Sequence, residues 1–326
     1  MSDYEPILDA KKSRFTVFPI EYNTIWDLYE SQMSCMWKAK EVDYSKDYDD
    51  FLTLNKDEQH FIKMVLAFFA ASDGIINWNL SERFLSDVQI MEAKVAYTFQ
   101  MAMENIHGEA YSLQLDNIVR NKEEKQLLFN SIEKIPSVKL MSEWAFKWIK
   151  SDKSFQHRVI AFAIIEGVFF SGAFAAIFWL KKYRSNGQQF MNGLIKSNEF
   201  IARDEGLHTE FACEIYRLLN HKLTFNEVKE IFNEGVNISK TFMNDALPCR
   251  LLGMDSVKMN AYIEYVSDRL LVSLGYQKLY NTTNPFEFMN SIGLSVKNNF
   301  FESRSTEYQS ATVLNENTNI EINEDF

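Results

Sequence analysis

The sequence is poor in the residues that break or cross-link a chain. Its 326 residues include only 11 Gly and 5 Pro, too few for the many tight turns of an all-β protein. Period-two alternation of apolar and polar residues is also scarce, which argues against strands. The three cysteines, Cys35, Cys213 and Cys249, are far apart with no CxxC spacing. That excludes a disulfide framework and a cysteine zinc site, and fits reduced thiols in the cytoplasm. Positive charge is in deficit, with 34 Lys and Arg against 45 Asp and Glu. No basic excess remains to neutralise phosphates, so nucleic acid is not an expected partner. Residues 1–12 lack the apolar stretch of a signal peptide. A single long apolar run, residues 159–180, holds one charge, Glu166. It could span a bilayer, but a carboxylate at that depth costs roughly 2.5–3.5 kcal/mol. The central helix of a large bundle is the better reading, and no membrane partner is expected.

What the chain does have is apolar bulk, at 46% hydrophobic residues with 27 Phe, set in helical periodicity. The pattern predicts an all-α fold of eight or more helices. Helical character begins near Thr24 and runs past Trp37. The Asn55-Lys56-Asp57-Glu58 string has capping-box spacing and opens a helix to about Leu80. A second long helix is expected from about Asp87 to Arg120. Further helical segments follow at 123–132, 138–150, 154–182, 187–219, 225–245 and 256–280. Residues 1–20 read as an extended arm, 21–302 as the helical domain and 303–326 as a flexible tail. The tail, rich in Asn, Glu and Asp, ends on an isolated hydrophobe, Phe326.

Two of the five histidines sit in one motif. Glu104-Asn105-Ile106-His107 and Glu205-Gly206-Leu207-His208 are both Glu-x-x-His. Residues three apart on a helix share a face, so each pair aims a carboxylate and an imidazole at one point. Asp73 precedes the first pair by 31 residues and Glu166 precedes the second by 39, intervals that suit two antiparallel helices. Four carboxylates and two imidazoles are the ligand set of a dinuclear centre in a ferritin-like bundle. Hard oxygen donors suit iron, and manganese equally. Other candidates are weaker: Asp57 and His60 fall in a first helical turn, where an acid favours the dipole, and His157 and His221 lack a carboxylate at the right offset. Tyr111, four residues after His107, should lie near the metals. Phe170, Phe174 and Ile201 fall on the faces of Glu166 and Glu205 and could shield it.

The residues also carry a family resemblance. Met36-Trp37 with Glu41-Val42-Asp43, the string from Phe68 to Gly74, and the strings around Glu104, Glu166 and Glu205 closely resemble the small, radical-generating subunit of class I ribonucleotide reductase, of the eukaryotic and viral type. The resemblance implies that Asp73, Glu104, His107, Glu166, Glu205 and His208 hold two iron ions. It implies a stable radical on Tyr111, and a transfer path through Asp204 and Trp37 to Tyr308 in the tail. It also implies a homodimer whose acidic tail docks on a large catalytic subunit, where ribonucleotides are reduced. Two departures stand out: Trp78 where a polar residue is expected, and a tail ending unlike the commonest one. The rival reading is a metal oxidase on the same scaffold, which would need no exit path from Tyr111.

Overall fold

The computed structural model describes residues 4–185, 189–247, 251 and 254–289. The chain divides into a compact unit, Met1–Phe286, and a second unit, Glu287–Phe326. Tyr308, Phe326 and the tail expected at 303–326 lie outside the described residues. Among the described residues the architecture is helical without strands, as the periodicity predicts. The main helices are α1 (Asn23–Ser34), α2 (Asp47–Leu52), α3 (Lys56–Asn79), α4 (Met91–Ile118), α5 (Lys122–Phe129) and α6 (Pro136–Ile149). Beyond them come α7 (Phe155–Ile164), α8 (Phe170–Tyr183), α9 (Asn192–Leu218), α10 (Phe225–Ala246) and α11 (Ser256–Ser273).

Four of these helices, α3, α5, α10 and α11, start where a capping side chain satisfies a free backbone N–H of the first turn. Asn55 Oδ1 accepts the Glu58 N–H at 2.9 Å and Glu58 Oε2 accepts the Asn55 N–H at 3.0 Å, so the expected capping box is present at α3. Thr224 and Glu227 make a second box at α10. Helix α9 is started from a distance. Met191 before it adopts a left-handed φ of 42°, and two acids of α2 hold the turn. Asp50 Oδ2 accepts the Met191 N–H at 2.7 Å, while Asp47 accepts those of Gly193 and Leu194 at 3.0 and 2.7 Å. Only glycine fits here, because a Cβ on Gly193 would lie 2.6 Å from Tyr44 Cδ1 and 2.7 Å from Asp47 Oδ2.

Two differences from the expected helices matter for the site. Helix α1 stops at Ser34 instead of running past Trp37. Beyond it the Arg203 guanidinium donates to the Cys35 carbonyl at 2.6 Å, and Trp37 turns inward to 1% exposure. Burial of a large indole with its N–H bonded outweighs another helical turn. The expected helix over 154–182 is also interrupted, because Ile165–Phe169 winds as a π-helix between α7 and α8. Such turns insert one residue into a helix and recur at functional sites. Gly167 lies within it, where a Cβ would sit 2.9 Å from Thr209 Cγ2 of α9. The missing side chain lets the two ligand-bearing segments approach.

The continuous Phe155–Tyr183 segment is long and apolar enough to cross a membrane, but 89% of its most apolar window is buried inside the protein. It is the core helix of the bundle, as expected from Glu166. Residues 4–20 are pinned at their start. Glu5, buried, accepts the Gln156 amide at 2.9 Å and the backbone N–H groups of Asn220 and His221 at 2.6 and 2.9 Å.

Candidate metal centre

Asp73 from α3, Glu104 and His107 from α4, Glu166 from the π turn, and Glu205 and His208 from α9 converge in the core. Each is at most 2% exposed. Their donor atoms form two groups, Asp73 with Glu104 and His107, and Glu104 with Glu166, Glu205 and His208. Within each group the donors lie within 4.8 Å of one another. Glu104 belongs to both, as a carboxylate bridging two ions would. Its Oε1 lies 2.9 Å from His208 Nδ1 and its Oε2 lies 3.5 Å from His107 Nδ1. Glu205 also reaches both rings, at 3.1 Å from each Nδ1.

The group fits metal ions on a direct test. Both oxygens of Asp73 and of Glu104, Glu166 Oε2, Glu205 Oε1, His107 Nδ1 and His208 Nε2 are buried with no aligned hydrogen-bond partner. So many orphaned donors in one place would be prohibitive without a cation to accept them. The second ring nitrogen of His107 explains its orientation. Asp204 Oδ2 accepts the Trp37 indole N–H at 2.8 Å and lies 3.1 Å from His107 Nε2. A carboxylate oxygen so placed selects the tautomer with hydrogen on Nε2, leaving the Nδ1 lone pair for a metal. Arg203 holds the other oxygen of Asp204, donating from Nε at 2.9 Å.

The electrostatics report the same crowding. Burial raises Asp73 and Glu166 well above the usual carboxylate range, and the charge of Glu104 adds to both shifts. Burial would raise Glu205 too, but His208 and His107 draw it below its ordinary value. Burial would lower His208, but Glu104 and Glu205 push it up to about 9. A carboxyl raised on folding stabilises fully below its unfolded pKa, and that contribution is lost as pH rises through the folded value. Metal ligands must be deprotonated, so ions displace these protons. The stabilisation gained on metal loading is therefore expected to grow from mildly acidic to mildly alkaline pH. Thermal unfolding with and without metal measures it, and an equal gain at both ends would contradict the assignment.

Tyr111 is 1% exposed and its hydroxyl has no aligned partner. Burial raises its pKa first, followed by the charge of Asp73. Phe69 stacks on its ring at 4.5 Å and 15°. Phe170 and Phe174, expected as its shield, pack on Phe69 at 5.7 and 5.1 Å and so form a second layer. Ile201 is fully buried. Sequence reasoning gave no role to Phe69 or to Gln100, whose amide donates to Glu166 Oε1 at 2.9 Å. Each lies four residues before a candidate ligand, Asp73 and Glu104, so helical spacing carried the signal. Trp78 has no part in the centre. It is 40% exposed and meets Phe146 of α6 edge-on at 5.2 Å. His221 and His157 serve elsewhere, beside Glu5 at 2.9 Å and Ser154 at 2.8 Å.

A family model described as "Ribonucleotide reductase, small chain" matches residues 14–285. The chain belongs to this family. The ribonucleoside-diphosphate reductase small chain of vaccinia virus (strain Ankara) is 50% identical over 315 residues, covering 97% of both chains. A ribonucleoside-diphosphate reductase small chain of Arabidopsis thaliana is 52% identical over 311 residues, covering 95% of this chain and 92% of the relative. Among solved structures, the ribonucleotide reductase Rnr4 homodimer of Saccharomyces cerevisiae matches with a TM-score of 0.79 at 36% identity. That match covers 94% of this chain and 93% of the yeast chain. Small chains of ribonucleotide reductase carry a dinuclear metal site and a tyrosyl radical, and work with a large subunit that reduces ribonucleoside diphosphates. The family assignment and the helical bundle expected from the sequence agree.

Proposed function

We propose that this small chain generates its radical on Tyr111, with two iron ions held by Asp73, Glu104, His107, Glu166, Glu205 and His208. When bound, the iron pair would supply oxygen activation and hence the oxidising power. The rest falls to the protein. Asp73, Glu104, Glu166 and Glu205 would supply four negative charges to balance the ions, with Glu104 standing in both donor groups. Phe69, backed by Phe170 and Phe174, excludes water from the Tyr111 ring. A radical there would persist because the residue is 1% exposed and no protein donor is aligned with its oxygen.

The observation that carries this reading is the continuous contact from a metal ligand to Trp37. Asp204 Oδ2 touches His107 Nε2 and the Trp37 indole N–H, at 3.1 and 2.8 Å, and the two rings lie 6.2 Å apart at 25°. A metal oxidase has no use for such a link. Asp204 would hold the proton that moves as the electron passes, and Trp37 would relay the electron onward. Tyr308 would complete the route, and the acidic tail ending in Phe326 would dock on the large subunit. The homodimeric yeast relative supports a homodimer here. Three cysteines far apart in the sequence, without a CxxC spacing, support a cytoplasmic location.

Trp37→Phe tests the route. It keeps an aromatic ring but deletes the N–H that Asp204 accepts. The tyrosyl EPR signal should form normally on reconstitution with ferrous iron and oxygen, while turnover with the large subunit should fall to background. The same split is expected for Tyr308→Phe. Turnover retained in either variant would remove that residue from the path.

A further inference from the structure

Helix α1 turns Ile25 to the core, yet it carries a second apolar stripe on another face. Trp26, Tyr29 and Met33 have the i, i+3, i+7 spacing of a covered stripe, but the first two are part-exposed and Met33 is exposed. Helix α4 does the same beside it with Phe99, Ala102 and Ile106, none of them buried. A ladder of rings joins the two helices to the N-terminal arm. Phe18 lies 6.2 Å from Trp26 and Trp26 lies 4.9 Å from Tyr29, which meets Phe99 edge-on at 6.0 Å. Phe18 is 69% exposed, and Phe15 of the same arm is fully exposed. At about 200 Å² per ring, these two alone offer roughly 300 Å² of apolar surface, the size of the largest patch on an ordinary monomer.

The arm is fastened on both sides of these rings' starting point. Glu5 is held by Gln156, Asn220 and His221, and Arg14 Nη2 donates to Glu92 Oε1 and the Val17 carbonyl at 2.7 and 2.9 Å. The Trp26 indole N–H is already given to Glu30 at 2.9 Å, so its ring can be covered without stranding a polar group. The charges on this face identify the cover. The chain carries a net charge of −11, and such an excess makes copies of one protein repel one another. Here the signs are matched: the arm brings Lys11, Lys12 and Arg14, and the lead-in to α1 with α1 itself brings Glu21, Asp27 and Glu30. A two-fold contact sets a patch against itself, so a basic arm would meet an acidic helix. We propose that a second copy of this chain covers this face, with the arm of each protomer lying across α1 and α4 of the other. The face rests on the homodimer proposed above, which the homodimeric yeast relative supports.

The test uses the full-length protein and two measurements. Sedimentation equilibrium compares the wild type with Phe15→Asp/Phe18→Asp and with a control, Val257→Asp, at a 73% exposed residue in the first turn of α11. The arm variant should raise the dissociation constant of the dimer about a hundredfold or more, and the control should not move it. Phe15 and Phe18 lie outside the core, so the arm variant should unfold as cooperatively as the wild type; Phe15→Asp alone, at a fully exposed position, should weaken the dimer in the same direction. Zero-length carbodiimide cross-linking of a dimer mixed from light and isotopically heavy chains reads the second point. Links from Lys11 or Lys12 to Asp27 or Glu30 should join a light chain to a heavy one. A wild-type dissociation constant in the arm variants overturns the face and leaves the homodimer standing, whether or not turnover with the large subunit is lost. Links confined to one chain overturn the crossing of the arm. A monomeric wild type overturns the homodimer itself, and the face with it.

Discussion

Tyr111→Phe is expected to abolish the stable tyrosyl EPR signal completely while metal binding stays intact. The two effects should separate because the six proposed ligands are carboxylates and imidazoles, and Tyr111 is not one of them. Phe preserves the stack on Phe69 at 4.5 Å and removes only an oxygen that has no aligned partner. Leaving a polar group buried and unbonded costs about 1–3 kcal/mol, so the variant should be as stable as the parent or more so. Metal analysis should find the wild-type content, and the oxidising power of the centre would then lack its acceptor. An identical signal in the variant would place the radical on another residue.

The second large effect is expected at Glu104, and it has two opposite signs. Glu104→Gln keeps shape and volume but removes the one carboxylate that both ligand groups share. Without metal, four buried carboxylates face only two imidazoles, so the Glu104 charge is a burden: it pushes Asp73 and Glu166 further above the ordinary carboxylate range even as it pairs with His208. Neutralising it should raise the melting temperature of the metal-free protein. With metal, the same change would delete the carboxylate proposed to serve both ions. Ions bound at a hundred times their dissociation constant stabilise a protein by about 2.7 kcal/mol, and the variant should lose that gain. Paired melting curves, with and without ferrous iron under anaerobic conditions, measure both signs. A variant that gains as much from metal as the parent would show that Glu104 does not bridge.

Most of the centre was legible because ligand chemistry and helical spacing reinforce each other. The repeated Glu-x-x-His places two donors on one face of a helix, and a lone acid within an apolar run, as at Glu166, needs a buried partner. The α3 helix was legible because a local signal starts it at Asn55. What was hidden depends on contacts remote in sequence. Nothing near residue 192 shows that Asp47 and Asp50 will start α9. Periodicity carried α1 too far because Trp37 is drawn inward by Asp204, which lies 167 residues away. The π turn was invisible for a related reason. Gly167 within it lies against Thr209 of α9, and a glycine in an apolar run does not by itself show which remote side chain will press against it.

The π turn also bears on how the two halves of the core helix divide their work. A π turn takes up one residue more than the α-helical turn it replaces, which offsets the residues after it by about 100° from the face an unbroken helix would give them. Phe155–Ile164 and Phe170–Tyr183 are thus two helices in one rod, with independent rotational settings. The first setting and the turn aim Glu166 at Glu104, Glu205 and His208, while the second aims Phe170 and Phe174 at Phe69. The extra residue works like a vernier between them. It lets the donor and the hydrophobic wall be aligned separately, although both come from a single uninterrupted stretch of chain.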